Sequence, residues 1–278
     1  MKNRKKEKNN KTSFFKMEAT GNDFIFIDQR TIDFKRIGSG QRVQLVKKIC
    51  DRHRGLGADG VVFLERPLKS AADLRWDFYN SDGSRAEMCG NAARAVGHLV
   101  FDFEKRKKSL RLETQAGVIV IRKIALGQYG ATLPPVSFLK GPMVQTFLGK
   151  SILYVLVNSG VPHAVVPLNK KLSKTKLGEM AVALKKSGRL GRGGANVTFF
   201  WKNKKGIEDI THERGVEDFT LSCGTGALAA AWVAECVLGF RSSGRVTLPG
   251  GEIVVVFRER PELIGSATMI ARGTLCRN

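Results

Sequence analysis

Met88-Cys89-Gly90-Asn91-Ala92-Ala93-Arg94-Ala95-Val96 and Ser222-Cys223-Gly224-Thr225-Gly226-Ala227-Leu228-Ala229-Ala230-Ala231-Trp232-Val233 are two versions of one pattern: a cysteine, a glycine, then small and apolar residues without proline. Such runs have strong helix propensity, so each cysteine is expected near the N-cap of an apolar, buried helix. A helix N-terminus offers unpaired N–H groups and the positive end of the dipole, which bind carboxylates and lower a thiol pKa from its reference of about 8.5. The glycines let the backbone come close to a ligand. Two such ends acting together would grip an amino acid's α-carboxylate and set its Cα between Cys89 and Cys223.

Inverting a stereocentre without a cofactor requires a base on one face of the carbon and an acid on the other, and a thiolate facing a thiol supplies both. Taken singly, each Cys-Gly step also reads as an inert buried cysteine. The pairing is what favours chemistry, and it extends to a repeat. Thr20-Gly21-Asn22-Asp23-Phe24-Ile25-Phe26-Ile27 and Ser159-Gly160-Val161-Pro162-His163-Ala164-Val165-Val166 are each a small-Gly turn entering a β-rich run, at similar distances ahead of their Cys-Gly steps. Two halves of like plan imply two similar domains with a cleft between them.

With 278 residues and 42% hydrophobic content, the chain can build two ordinary cores. Its five cysteines form an odd set without the spacing of a secreted disulfide framework, and no signal peptide is evident; a reducing cytoplasm fits. Ala227 to Ala234, the most apolar run, is too short for a bilayer, which needs about 20 residues. Net charge is +22, from 47 Lys plus Arg against 25 Asp plus Glu, and residues 1–11 carry six basic side chains and one acidic. Such charge attracts polyanions non-specifically, but no motif that reads nucleic-acid bases accompanies it. Residues 1–12 read as a disordered basic tail. The four histidines lack HExxH spacing and there is no CxxC, so no metal is expected. A cysteine hydrolase using His163 as base would leave the second Cys-Gly step unexplained.

Strands are expected at Phe24 to Asp28, Gly60 to Glu65, Ile152 to Val157, Ala164 to Val166, Asn196 to Trp201 and Ile253 to Phe257. Arg42 to Asp51 reads as a helix with Val43, Leu45, Val46 and Ile49 inside, and Ser173 to Arg189 as an amphipathic helix. Leu110 to Ile124 reads as a hairpin turning at Ala116-Gly117, and Leu133-Pro134-Pro135 as the crossing between domains.

Nine ordered blocks resemble the diaminopimelate epimerase family over Lys16 to about Arg272. They are Lys16-Met17 with Gly21-Asn22-Asp23-Phe24, Cys50-Asp51-Arg52-His53 with Gly57-Ala58-Asp59-Gly60, Asn80-Ser81-Asp82-Gly83-Ser84, and Met88-Cys89-Gly90-Asn91 with Arg94. They continue as Asn158-Ser159-Gly160-Val161-Pro162-His163, Asn196-Val197, Glu213-Arg214-Gly215, Ser222-Cys223-Gly224-Thr225-Gly226 and Leu248-Pro249-Gly250-Gly251. The resemblance implies an α/β (α+β) fold of two pseudo-symmetric domains, each a β-barrel-like sheet around a central helix, with the active site in the cleft. One domain would hold residues 13–134 plus about 263–278 with Cys89, the other residues 135–262 with Cys223.

It implies cofactor-independent interconversion of LL- and meso-2,6-diaminopimelate in lysine and peptidoglycan precursor synthesis, by a cytoplasmic homodimer. Cys89 and Cys223 match the catalytic acid/bases. Gly90, Asn91, Gly224 and Thr225 match the positions that hold the reacting carboxylate, and Asn22, Asn80, Asn196, Glu213 and Arg214 those that read the distal centre. His163 and Glu213 match residues that tune the thiols. Singly, Asn80 also reads as an Asx-turn, His163 as a core histidine and Glu213-Arg214 as a solvated pair. Val161, Gly60 and Phe219 depart from the commonest family pattern.

Overall fold

In the computed structural model the described residues are 12–30, 37–105, 108–240 and 244–276. The first half runs β1 (Thr12–Ala19), β2 (Asn22–Asp28), α1 (Ser39–Cys50), β3 (Gly60–Glu65), β4 (Leu74–Asn80), α2 (Gly90–His98), β5 (Ser109–Thr114), β6 (Gly117–Ala125) and β7 (Gln128–Thr132). The second repeats the plan with β8 (Ser137–Phe147), β9 (Lys150–Asn158), β10 (Pro162–Leu168), α3 (Lys174–Lys186), β11 (Asn196–Lys202), β12 (Ile207–His212), α4 (Gly224–Trp232), β13 (Arg245–Leu248), β14 (Gly251–Val256) and β15 (Glu262–Ser266), before β16 (Thr268–Leu275).

The repeat is visible in the pairing. β2 and β3 are parallel with α1 as their crossover, as β10 and β11 are with α3; β4–β5 and β12–β13 are parallel with α2 and α4 between them. The sheet order is β16-β1-β2-β3-β4-β5-β6-β7-β15-β14-β13-β12-β11-β10-β9-β8. Thus β16 returns to β1, and the two runs join where β7 pairs antiparallel with β15. The result is a mixed α+β fold of two pseudo-domains, each a sheet curved around one helix.

Burial follows from strands covered on both faces. On β2, Phe24 and Phe26 face the core that holds α2, while Ile25 and Ile27 face α1 beside Val46 and Ile49. On β11, Phe200 joins the core around α4, and Val197, Phe199 and Trp201 meet Leu177, Met180, Ala181 and Leu184 of α3. The alanines of α2 and α4 are buried, so small side chains let the strands close around each helix. Both helices run into a single π-helical turn, Leu99–Phe103 and Val233–Val237.

Several expectations shift. Residues 1–11 of the basic tail lie outside the described residues, but Thr12 opens β1 opposite Leu275 and is buried. The first helix starts at Ser39, and its buried face includes Arg42, while Val43 and Leu45 are half-buried. Arg42 is held by Asp77 of β4, Glu65 of β3 and Gln29 just past β2, partners distant in sequence. The helix α3 ends at Lys186, followed by Gly188 with φ +69°. Strand β8, an edge with mostly exposed side chains, has no alternating apolar pattern to announce it.

The halves touch at Thr20, a β-branched residue with φ +53°. A Cβ at Gly250 would overlap the Thr20 carbonyl oxygen and lie 2.9 Å from Leu221 O. Gly250→Ala is therefore expected to destabilise the protein by about 1–3 kcal/mol in urea unfolding; wild-type stability would show that the junction has room to spare.

Candidate active site

Cys89 and Cys223 are the N-caps of α2 and α4, both in extended backbone conformation. Cys89 Sγ accepts the Ala92 N–H at 3.5 Å. The two helix ends meet nose to nose. A Cβ at Gly90 would lie 3.2 Å from Leu263 Cδ1 and one at Gly224 3.0 Å from the same atom, so both first residues rest on one methyl group. That close approach is what glycine permits. Asn91 spans the gap, donating to Asn22 Oδ1 at 2.5 Å and to Ser222 Oγ at 3.0 Å.

Under Cys223 lies a buried polar chain. Cys223 Sγ is 3.5 Å from Thr225 Oγ1, which is 3.0 Å from His163 Nε2; His163 Nδ1 is 2.9 Å from Thr198 Oγ1, itself 2.9 Å from Thr211 Oγ1. Asn196 sets its direction. Its Oδ1 accepts the Arg214 N–H at 2.8 Å, so its NH2 faces His163 Nε2 at 3.4 Å, and that nitrogen is the acceptor. His163 is therefore the Nδ1–H tautomer, donating to Thr198 and accepting from Thr225. Burial lowers its pKa to about 3, helped by the Arg214 charge, so the imidazole is neutral.

Glu213 lies within electrostatic reach of both thiols and accepts the Thr220 hydroxyl at 2.6 Å. Burial raises its pKa. Both thiols differ from expectation in the same way: burial pushes Cys89 up and Cys223 well up, outweighing the helix-end N–H groups that favour each thiolate. Water removal costs an anion more than one dipole returns. Arg94 acts to lower Cys89, whereas Glu213 acts to raise both thiols.

The remaining residues divide. Asn22 is tied into the junction, donating to Asp59 Oδ2 at 2.9 Å. Asn80 is exposed at the end of β4, its amide donating to Ser84 Oγ at 3.0 Å, while the Asx contact of that turn belongs to Asp82, whose Oδ1 accepts the Ser84 N–H at 2.8 Å. Arg214 is exposed and its guanidinium holds the Gly193 and Gly194 carbonyls. A Cβ at Gly60 would lie 2.6 Å from Phe78 Cε2, which explains glycine there, and Phe219 packs edge-on to His212 at 5.1 Å. Sequence reasoning missed Thr198, Thr211, Ser222 and the orienting role of Asp59; nothing in the chain marks them apart from their place on strand faces and motif edges. Among the described residues no group of three His, Cys, Asp or Glu could hold a metal ion, and no helix is long and apolar enough to cross a membrane.

A family model for diaminopimelate epimerase matches residues 14–142 and 155–270. The diaminopimelate epimerase of Aquifex aeolicus is 36% identical over 230 residues, 80% of either chain, and that of Hydrogenobaculum sp. 32% identical over 271 residues, 94% of this chain and 97% of the relative. Among solved structures, a probable proline racemase from Agrobacterium radiobacter superposes with a TM-score of 0.71 at 15% identity, over 96% of this chain and 93% of its own, a likeness of fold.

Asp209, on β12 with Thr211, is buried with neither carboxyl oxygen hydrogen-bonded, and its pKa is pushed well above the carboxylate range. The folded chain then keeps a proton that the unfolded chain loses near pH 3.9, so Asp209 costs stability increasingly as pH rises above that value. The stability of Asp209→Asn relative to wild type should rise with pH above about 4, by at most about 1.4 kcal/mol per pH unit, until the folded carboxyl itself ionises. His163 titrates in the opposite sense and cancels in the comparison. A difference that does not change with pH, in urea melts, would mean an ionised Asp209. With two cysteine-capped helices meeting on one leucine, and a match along most of its length, the chain belongs to the diaminopimelate epimerase family.

Proposed function

We propose that this chain epimerises LL-2,6-diaminopimelate to the meso form without a cofactor, using Cys89 and Cys223 as the two acid/bases. The observation that carries the reading is the meeting of two cysteine-capped helices on a single leucine methyl, with Glu213 in electrostatic reach of both sulfurs. Backbone N–H groups of Gly90, Asn91, Gly224 and Thr225 are the donors for the reacting carboxylate. One thiolate takes the α-proton; the other thiol gives its proton to the opposite face of the carbanion. Each sulfur ends in the state the other began in. The N–H groups at both helix ends stabilise the charge that develops on the carboxylate side, in a site from which bound substrate excludes water.

Asn22, Asn80, Asn196, Glu213 and Arg214 read the distal amino acid group, with Arg214 suited to two parallel bonds with its carboxylate. Asn22 and Asn196 each have their Oδ1 and one direction of their NH2 engaged by the protein, so they offer a remaining N–H. Thr225 answers to both sides: its hydroxyl donates to neutral His163 at rest and turns to the Cys223 sulfur when that becomes a thiolate. The domains are taken as residues 13–134 plus about 263–278, and 135–262, a boundary that falls within β15, the strand where the two runs of sheet join. The enzyme works as a cytoplasmic homodimer in lysine and peptidoglycan precursor synthesis.

The test is NMR of reduced protein with LL-diaminopimelate in D2O, without added cofactor. Deuterium should enter one α-carbon with conversion to the meso form, and Cys89→Ala and Cys223→Ala should each reduce turnover by about 10²–10⁴-fold. Exchange with proline alone would replace the substrate; turnover surviving the loss of either thiol would overturn the two-thiol mechanism.

A further inference from the structure

The pair needs one ionised sulfur in a site where burial opposes ionisation, and Arg94 is placed to decide which. It is 0% exposed and lies one turn beyond Asn91 on α2. Its Nη2 donates to Thr20 Oγ1 at 2.6 Å and to Asn91 Oδ1 at 2.9 Å, while Nε and Nη1 have no hydrogen-bond partner among the described residues. A buried guanidinium so poorly satisfied is costly to keep. Under the first turn of the Cys89 helix, it is a cation with bonding capacity unused.

Arg94 also opens a directional chain. Asn91 accepts its N–H at Oδ1, so the Asn91 NH2 faces outward and donates to Asn22 Oδ1 and Ser222 Oγ. Asn22, accepting at Oδ1, donates to Asp59 Oδ2. With a cation at one end and a carboxylate at the other, neither amide can flip without facing donor to donor or acceptor to acceptor. The same guanidinium holds the Thr20 hydroxyl, and with it a left-handed backbone turn at the junction.

The surroundings of the two sulfurs are unequal. Cys89 faces Arg94 from α2 and Glu213 from the turn after β12; Arg94 in turn faces Cys89 and Glu18 of β1. The titratable groups that act on Cys223 are Glu213 and the protonated Asp209, neither of them a cation, and its own helix adds the Thr225 hydroxyl and the Gly226 N–H. Burial lowers Arg94 to about 10, which leaves it a cation at neutral pH.

We propose that Arg94 is a positioning residue that makes Cys89 the thiolate of the resting pair, by its buried charge and by the amide chain that aligns the start of α2 with Ser222. This rests on the reading of Cys89 and Cys223 as the acid/base pair. Cys223 then rests as the thiol, its proton directed at Thr225.

The experiment measures iodoacetamide alkylation of Cys89 and Cys223 separately, by peptide mass spectrometry across pH, in full-length wild type, Arg94→Met and Arg94→Lys, with kcat and KM for α-proton exchange beside it. Alkylation needs no turnover, so failure of the epimerase reading would appear separately, as absent exchange in the wild type. Cys89 should alkylate with a lower midpoint than Cys223, and Arg94→Met should raise the Cys89 midpoint by about one pH unit without moving that of Cys223. Arg94→Lys should keep the Cys89 midpoint, because the charge remains. It should still lose about 10–100-fold in kcat with little change in KM, because the lysine nitrogen falls one bond short of the Nη2 that reaches both Thr20 and Asn91. A merely structural arginine would lower thermal stability and leave the midpoints in place. One common midpoint in the wild type, midpoints that move together or not at all in a folded Arg94→Met, or a wild-type kcat in Arg94→Lys would each overturn the proposal. If Arg94→Met does not fold, the wild-type order of midpoints and the Arg94→Lys kcat decide it.

Discussion

The structure depends on two helix N-termini brought face to face at a mostly buried junction. A helix end normally turns its unpaired N–H groups toward water or a cap. Here the caps are cysteines, and the first residues of α2 and α4 rest on Leu263, a residue of the strand that joins the two runs of sheet. Everything around this meeting serves to hold it: small residues on both helices admit the strands, and Asn91 ties Asn22 to Ser222 across the gap. Such an arrangement points N–H groups of two helices at one place, a geometry suited to an anion.

The repeat provides the scaffold twice but not the electrostatics. In the first half a buried arginine stands one turn past the asparagine that follows Cys89; in the second the equivalent space under Cys223 holds hydroxyls, a neutral histidine and the acid of Asp209. A symmetric pair of thiols would have no reason to be ionised on one side. The asymmetry lies in side chains that face inward from β11, β12 and α2, so identical folds around the two sulfurs yield unlike acids.

The parts of this that were legible in the chain are those with local signatures. The Cys-Gly steps before alanine runs placed both caps, and the mixed fold followed from the nine ordered blocks. Strands such as Gly60–Glu65 were legible because their apolar run is continuous. The edge strand β8 was not, since neither face is covered enough to demand a pattern. The thiol acidities were read from the helix end alone and came out reversed, because burial depends on strands far away in sequence. Thr198, Thr211 and Asp209 escaped for the same reason: a threonine or aspartate in a strand has no mark of the face it occupies, and register alone turns it toward α4.

The measurement that tests most directly whether the two sulfurs face one another is oxidation of the free enzyme by one equivalent of diamide, followed by peptide mapping and an activity assay. The account predicts a single Cys89–Cys223 disulfide, loss of activity in proportion, and recovery with dithiothreitol. Complete oxidation that leaves Cys89 and Cys223 unlinked and separately alkylatable, or full activity in a chain that carries the link, would contradict it.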